Sequence, residues 1–143
     1  MKVEDCFEKR LLRKIKPDLD KSKTSLKVAE KKLKEAKDIL ESEFYDMAIL
    51  LAYTAMFHSA RALLYEDGVQ EKSHYAVQIY LKEEYGNKLP ISTINSFDVH
   101  RVERHDALYG LEYKPEKEDA ESAISDAENF IKEIKVIINQ EVE

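Results

Sequence analysis

Apolar residues crowd into 44–74, FYDMAILLAYTAMFHSARALLYEDGVQEKSH, a run that leaves almost no continuous polar face. The segments on either side behave differently. Leu26, Ala29, Leu33, Ala36 and Leu40 recur at spacings of three and four among lysines and glutamates. The same period returns as Ala120, Ala123, Ala127, Phe130 or Ile131, Ile134, and Ile137 or Ile138. That spacing is the mark of a helix with one stripe toward a core, whereas a helix apolar on most sides has to be surrounded by other helices or by a partner. Each stripe lasts only about three heptads, which suits packing on one central helix better than a coiled coil. The central helix carries Ala48, Ala52, Ala55, Ser59, Ala60 and Ala62, small residues that allow neighbours to approach closely.

Strand-like alternation is absent, so the pattern predicts an all-α chain. Helices are expected at about 2–15, 19–41, 43–66, 72–86, 91–108 and 116–141, each boundary good to a few residues. The punctuation agrees. Pro17, Pro90 and Pro115 fall at or near helix starts, and Gly68, Gly86 and Gly110 fall where left-handed C-terminal caps are expected. The expected organisation is one helical domain over 1–143, with 1–16 a helix at its edge.

Composition narrows the class. The net charge of −6 opposes broad nonspecific binding to duplex nucleic acid, which needs a large basic surface. It leaves room for a local basic patch, because the N-terminal third is lysine-rich and the C-terminal third glutamate-rich. The single cysteine, Cys6, excludes an internal disulfide and a cysteine-based zinc cluster. No apolar stretch of about 18 residues runs without polar interruption, and no signal-peptide core opens the chain. The expectation is a cytoplasmic protein with no membrane association. No H-E-x-x-H or comparable spacing is present, so neither a metal nor a cofactor is expected.

Two polar clusters interrupt the apolar pattern. On a helical projection Asp46, Tyr53, Thr54, His58 and Arg61 spread over one side of the central helix. The plainer account is a solvated or partner-facing edge. The functional account is a slot for a ligand or substrate phosphate with Arg61 as its anion contact. His58 reads as a hydrogen-bonded core histidine, and His74 follows Ser73, a helix N-cap residue type, into a first helical turn, where packing or capping is the default. In the fifth helix, Asp98, Arg101 or Val102, His105 and Tyr109 share one face, with Arg104 beside it. Arginine neutralises phosphoryl charge and histidine titrates near neutral pH, so the set could bind a phosphate and move a proton. The plainer account here is a surface helix in which Asp98 and Glu103 pair with the arginines.

Taken together, F-Y-D-x-A, A-Y-T-A-M-F-H-S-A-R-A-L-L, G-V followed by K-S-H, and R-H-D-A-L-Y-G resemble the HEPN superfamily (higher eukaryotes and prokaryotes nucleotide-binding domain), and in particular its small single-domain prokaryotic branch. The resemblance runs from about residue 20 to the end of the chain. It implies an up-and-down bundle of four or five helices, with an extra N-terminal helix here. It also implies a homodimer with a shared polar cleft, and a minimal nucleotidyltransferase as the antitoxin partner of a toxin–antitoxin pair. Active members are metal-independent ribonucleases that use an arginine followed, four to six residues on, by a histidine. This sequence departs from that pattern, because four residues after Arg104 comes Tyr109. From Arg101, His105 follows after only three. A phenol with a pKa of about 10 is a poor base at neutral pH.

The expected function is therefore a nucleotide- or RNA-binding module, the partner of a nucleotidyltransferase. Arg104, His105 and Tyr109 are the candidates for chemistry, and Asp46, Tyr53, Arg61 and Arg101 the candidates for ligand contact. An active ribonuclease and a helical adaptor without chemistry stand as alternatives.

Overall fold

The computed structural model describes residues 1–142. In chain order the elements are α1 (Val3–Glu8), β1 (Leu12–Lys14), α2 (Leu19–Glu41), α3 (Tyr45–Asp67), β2 (Val69–Glu71), α4 (His74–Glu84), α5 (Ile91–Tyr109) and α6 (Lys117–Val142). The chain is an all-α bundle around α3, as the apolar pattern requires. α2, α5 and α6 pack along α3, and α4 closes the end next to α5. By length and composition α3 could cross a membrane. Here its apolar sides are covered by the other helices instead.

Small residues bring the helices together. Ala29 and Ala36 of α2 and Ala48, Ala52, Ala55, Ala60 and Ala62 of α3 are all buried. Two α2 serines lie in this seam, where an unpaired hydroxyl would be costly. Each is satisfied by an α3 carbonyl: Ser22 Oγ donates to Ala62 O and Ser25 Oγ to His58 O, both at 2.7 Å. The α6 stripe is buried as predicted from Ala120 through Ile138. At the middle of the bundle Tyr53, Phe97 and Phe130 form a stacked aromatic layer across α3, α5 and α6, with ring centroids 5.5 Å and 5.1 Å apart.

The N-terminal segment differs from the expected helix 2–15. The helix stops at Glu8, the chain reverses through Arg10 at φ 61°, and Leu12–Lys14 pair antiparallel with Val69–Glu71. Lys72 N–H donates to Leu11 O and Ile15 N–H to Gly68 O. These partners lie more than fifty residues away in sequence, beyond the reach of any local periodicity. Leu12 enters the core at 1% exposure, which a continuing helix would not allow without moving its neighbours.

Of the three expected glycine caps, only Gly68 has a positive φ, 81°. Gly110 is extended at φ −73° and Gly86 is not left-handed, while Arg10 and Glu43 take the left-handed positions that end α1 and α2. Gly68 is doubly required, since a Cβ there would lie 2.8 Å from Ile15 O and 3.0 Å from Pro17. Gly68→Ala is expected to cost at least about 1–2 kcal/mol from the left-handed backbone alone. Thermal unfolding checks this: an unchanged midpoint would show that the β1–β2 junction does not constrain the chain.

Candidate functional site

The site is built where the start of α4 meets the sides of α3 and α5. Ser73 caps α4, its Oγ accepting from Ala76 N–H at 3.3 Å. This fixes His74 in the first turn, with its ring stacked on Phe57 of α3 at 4.1 Å. Its Nδ1 lies 2.9 Å from the Tyr53 hydroxyl. Tyr53 is only 1% exposed and belongs to the aromatic layer, so it reaches the site through its oxygen. One turn apart on α5, Arg101 and Arg104 direct positive charge at this pair.

Electrostatics sets the protonation states. Burial, then the charges of Arg104, Arg101 and Arg61, push the His74 imidazole down to about 4. Burial holds the Tyr53 hydroxyl well above the usual phenol range, although Arg104 and Arg101 pull it the other way. At neutral pH the pair is uncharged beneath guanidinium groups. If Tyr53 donates to Nδ1, His74 Nε2 carries the proton and is a donor. With the roles reversed, Nε2 offers a lone pair.

The arginines differ in their own partners. Arg101 Nε donates to Asp98 Oδ1 at 2.8 Å, and its guanidinium lies 5.3 Å from the centre of the Tyr75 ring. Arg61 Nε lies 2.9 Å from Glu71 Oε1, a charge contact without the angle of a hydrogen bond, and its guanidinium rests against Phe57 and Tyr65. Arg104 is half-buried, and among the described residues no carboxylate pairs with it. A guanidinium held without a counter-ion next to neutral acceptors is arranged to receive an anion.

The structure thus brings together Tyr53, Arg61, Arg101 and Arg104 from the sequence candidates and separates the rest. Asp46 is exposed, its Oδ1 accepting from Met47 N–H, and its charge acts on Tyr113. His105 and Tyr109 face each other 5.0 Å apart on the exposed side of α5, Tyr109 at 68% exposure. Neither is among the charges acting on His74. Thr54 bonds back to Leu50 O. His58 is half-buried at the edge of a groove between α2 and α3, and burial followed by Arg61 and Lys32 lowers its pKa.

The central residue of the site, His74, was assigned by sequence to capping or packing. The signal that could have raised it was its place in the K-S-H element.

His100 carried no sequence signal of function and proves to be a buried ionic junction. Glu103, expected to pair with an arginine, instead has Oε1 3.1 Å from His100 Nδ1, while Asp126 Oδ2 of α6 lies 2.8 Å from Nε2. Burial lowers the His100 pKa, but hydrogen bonds and charge from Glu103 and Asp126 outweigh it and leave the pKa raised. The folded state therefore binds this proton more tightly than the unfolded chain. The resulting stabilisation is full below the ordinary histidine pKa of about 6.5 and is lost as pH rises through the folded value. Hydrogen bonds to charged groups contribute about 1.5–3 kcal/mol, and the exposure of Asp126 favours the lower end. Denaturant unfolding of wild type and His100→Gln should give stabilities that converge as pH rises. A gap independent of pH would show that His100 is neutral in the fold.

Comparison with known proteins agrees with the architecture. The family model described as "HEPN domain" matches residues 22–137. The chain is 33% identical over 125 residues to Putative toxin MJ0605 of Methanocaldococcus jannaschii, covering 80% of this chain and 87% of that protein. It is 31% identical over 124 residues to a UPF0332 protein of Archaeoglobus fulgidus, covering 85% and 98%. It is 28% identical over 109 residues to Putative toxin MJ0142 of Methanocaldococcus jannaschii, covering 75% and 74%. The helical bundle, the span of the family match and these relatives agree, and the chain belongs to the HEPN domain family.

Proposed function

We propose that this chain is a nucleotide- and RNA-binding module that acts in the cytoplasm as the partner subunit of a minimal nucleotidyltransferase, in a toxin–antitoxin-like pair. The observation that carries the binding part is Arg104, without a carboxylate partner among the described residues, directed with Arg101 at the neutral His74–Tyr53 pair. Guanidinium groups match phosphate oxygens in geometry as well as charge. The relatives that carry the name of toxin support the toxin role. Homodimerisation belongs to the same reading. Ile91, Val99, Val102 and Tyr109 form an exposed stripe along the outer side of α5, an apolar surface that a second copy would cover.

The test is nucleotide and short-RNA binding by wild type and Arg104→Ala, with co-purification of a nucleotidyltransferase as the check on the pairing. Equal binding by the two proteins removes the proposed site. If the variant changes only stability or assembly, the chain is a helical adaptor.

Metal-independent RNA cleavage is the second reading, favoured by His74, a neutral imidazole next to arginines in a chain whose α5 lacks the expected histidine at 109. In that chemistry His74 Nε2 takes the proton of a ribose 2′-hydroxyl, whose oxygen bonds to phosphorus to form a 2′,3′-cyclic phosphate as the bond to the 5′-oxygen breaks, and the imidazolium returns the proton to that oxygen, which leaves as a hydroxyl. The arginines hold the developing charge. Incubation of the protein with mixed RNA and EDTA tests it. Absent cleavage, or cleavage that persists in Arg104→Ala, rules it out.

A further inference from the structure

Tyr53 and His74 share one hydrogen bond, and the hydrogen in it decides what the imidazole offers a ligand. The Tyr53 hydroxyl lies 2.9 Å from His74 Nδ1, its one hydrogen-bond partner among the described residues. Tyr53 is 1% exposed, and Phe57 and Phe97 stand against its ring. The imidazole is held in place, because Ser73 caps the turn that carries it and its ring stacks on Phe57 at an interplanar angle of 24°. A ring turned over would put Cδ2 against the oxygen and leave the hydroxyl with no acceptor.

Two neutral groups can place their hydrogens in two ways. If Nδ1–H donates to Tyr53, the hydroxyl hydrogen is stranded among aromatic rings. If Tyr53 donates to Nδ1, its hydrogen is satisfied and the imidazole hydrogen sits on Nε2, on the far side of a half-buried ring. The penalty for stranding a buried donor favours the second arrangement by roughly 5- to 150-fold. The charges of Arg101 and Arg104 act the other way, since a cation favours a lone pair on the imidazole. That gain is greatest when a guanidinium donates to the nitrogen, and among the described residues no such bond reaches His74. The buried hydroxyl therefore wins.

From this geometry we infer that Tyr53 is a positioning residue, which by donating to Nδ1 fixes His74 as an Nε2–H donor, the third donor with Arg101 and Arg104 toward a phosphate oxygen. The inference rests on the binding role proposed above, and adds which hydrogen of His74 serves it and what holds that hydrogen there. An outward lone pair would repel the anion that the arginines attract, whereas an N–H completes a set made of donors alone. The same arrangement removes from Nε2 the lone pair that RNA cleavage by His74 requires.

The experiment is nitrogen NMR of ligand-free protein labelled at histidine, with AMP affinity measured by calorimetry. The proteins are wild type, Tyr53→Phe, His74→Ala, His74→Gln and Arg104→Ala, each checked for folding by circular dichroism. In the wild type, His74 should show a protonated Nε2 and an unprotonated, hydrogen-bonded Nδ1. Tyr53→Phe keeps the stacked ring but should give a mixture of the two tautomers and bind AMP roughly 2- to 10-fold more weakly. His74→Ala should lose roughly 10-fold or more. His74→Gln places an amide N–H near the position of Nε2 and cannot act as a base, so it should bind at least about fivefold tighter than His74→Ala.

A wild-type His74 protonated at Nδ1, or a tautomer unchanged in Tyr53→Phe, overturns the positioning role whatever binds. If AMP binding depends on Arg104 but His74→Gln loses as much as His74→Ala, the donor role is overturned while the binding role stands. If AMP binding is absent or indifferent to Arg104→Ala, the binding role fails and the donor role with it. The tautomer is read without ligand and so reports on Tyr53 separately.

Discussion

Phe97→Ala is expected to lower folding stability by about 3–5 kcal/mol and to loosen the candidate site at the same time. Phe97 is 0% exposed and stacks between Tyr53 of α3 and Phe130 of α6. Truncation removes a large apolar surface and leaves a cavity that three rigid helices cannot close. Arg101 and Arg104 follow Phe97 at four and seven residues, on the same side of α5. The ring that anchors α5 therefore also sets the distance of both guanidinium groups from His74. Denaturant unfolding checks the first effect, with exposed Val99→Ala as the control expected within about 0.5 kcal/mol of wild type. A loss under about 1 kcal/mol would mean that the aromatic layer does not hold α5. RNA affinity measured well below the unfolding transition checks the second.

Arg104→Ala should weaken binding of a phosphate-bearing ligand by roughly 10- to 100-fold while leaving stability nearly unchanged. A hydrogen bond to a charged group contributes about 1.5–3 kcal/mol, and each 1.4 kcal/mol is about tenfold in affinity. Stability should hardly move, because Arg104 has no carboxylate partner to orphan among the described residues. The slope of log affinity against log salt should become shallower by about one. An independent readout comes from His74. Arg104 is the first charge, after burial, that depresses its pKa to about 4. In the variant that pKa should rise toward the ordinary histidine value, measurable by NMR titration of the imidazole. An unmoved His74 titration would show that the guanidinium does not face it, whatever happens to binding.

Much of the bundle was legible because burial on one side of a helix leaves a periodic trace. The α2 and α6 stripes, the all-round apolarity of α3 and the proline positions each state a local fact about which sides are covered. The errors fall where the deciding partner is distant in sequence. Residues 9–15 carry two leucines and an isoleucine among basic residues, compatible with a helix. They become a reversal and a strand because Val69–Glu71 is there to pair with them. Gly86 and Gly110 occupy cap positions by sequence, yet of the three only Gly68 takes a positive φ and meets a distant segment, Ile15 O; at Gly86 and Gly110 a Cβ would meet a carbonyl of the preceding helix instead, Lys82 O and Asp106 O.

The site divides the same way. Arg101 and Arg104 stood out as an α5 pair, and Tyr53 and Arg61 as polar residues in an apolar helix. His105 and Tyr109 stood out by the same helical spacing and point outward, because the spacing ranks faces without saying which one meets a neighbour. His74 gained its role from contacts with α3 and α5, and Glu103 from His100 and α6, none of which a single helix projection contains.

The sequence by itself determined the helical class, the central position of α3, the family and the presence of a basic, aromatic-rich polar set without metal-ligand spacing. These follow from residue type and short-range period. Only the tertiary structure decided that His74, stacked on Phe57 and bonded to Tyr53, lies beneath Arg101 and Arg104, and that Asp46, His105 and Tyr109 lie apart from it. The cost of burying a polar group depends on what surrounds it in space, and that surrounding is assembled from helices far apart along the chain.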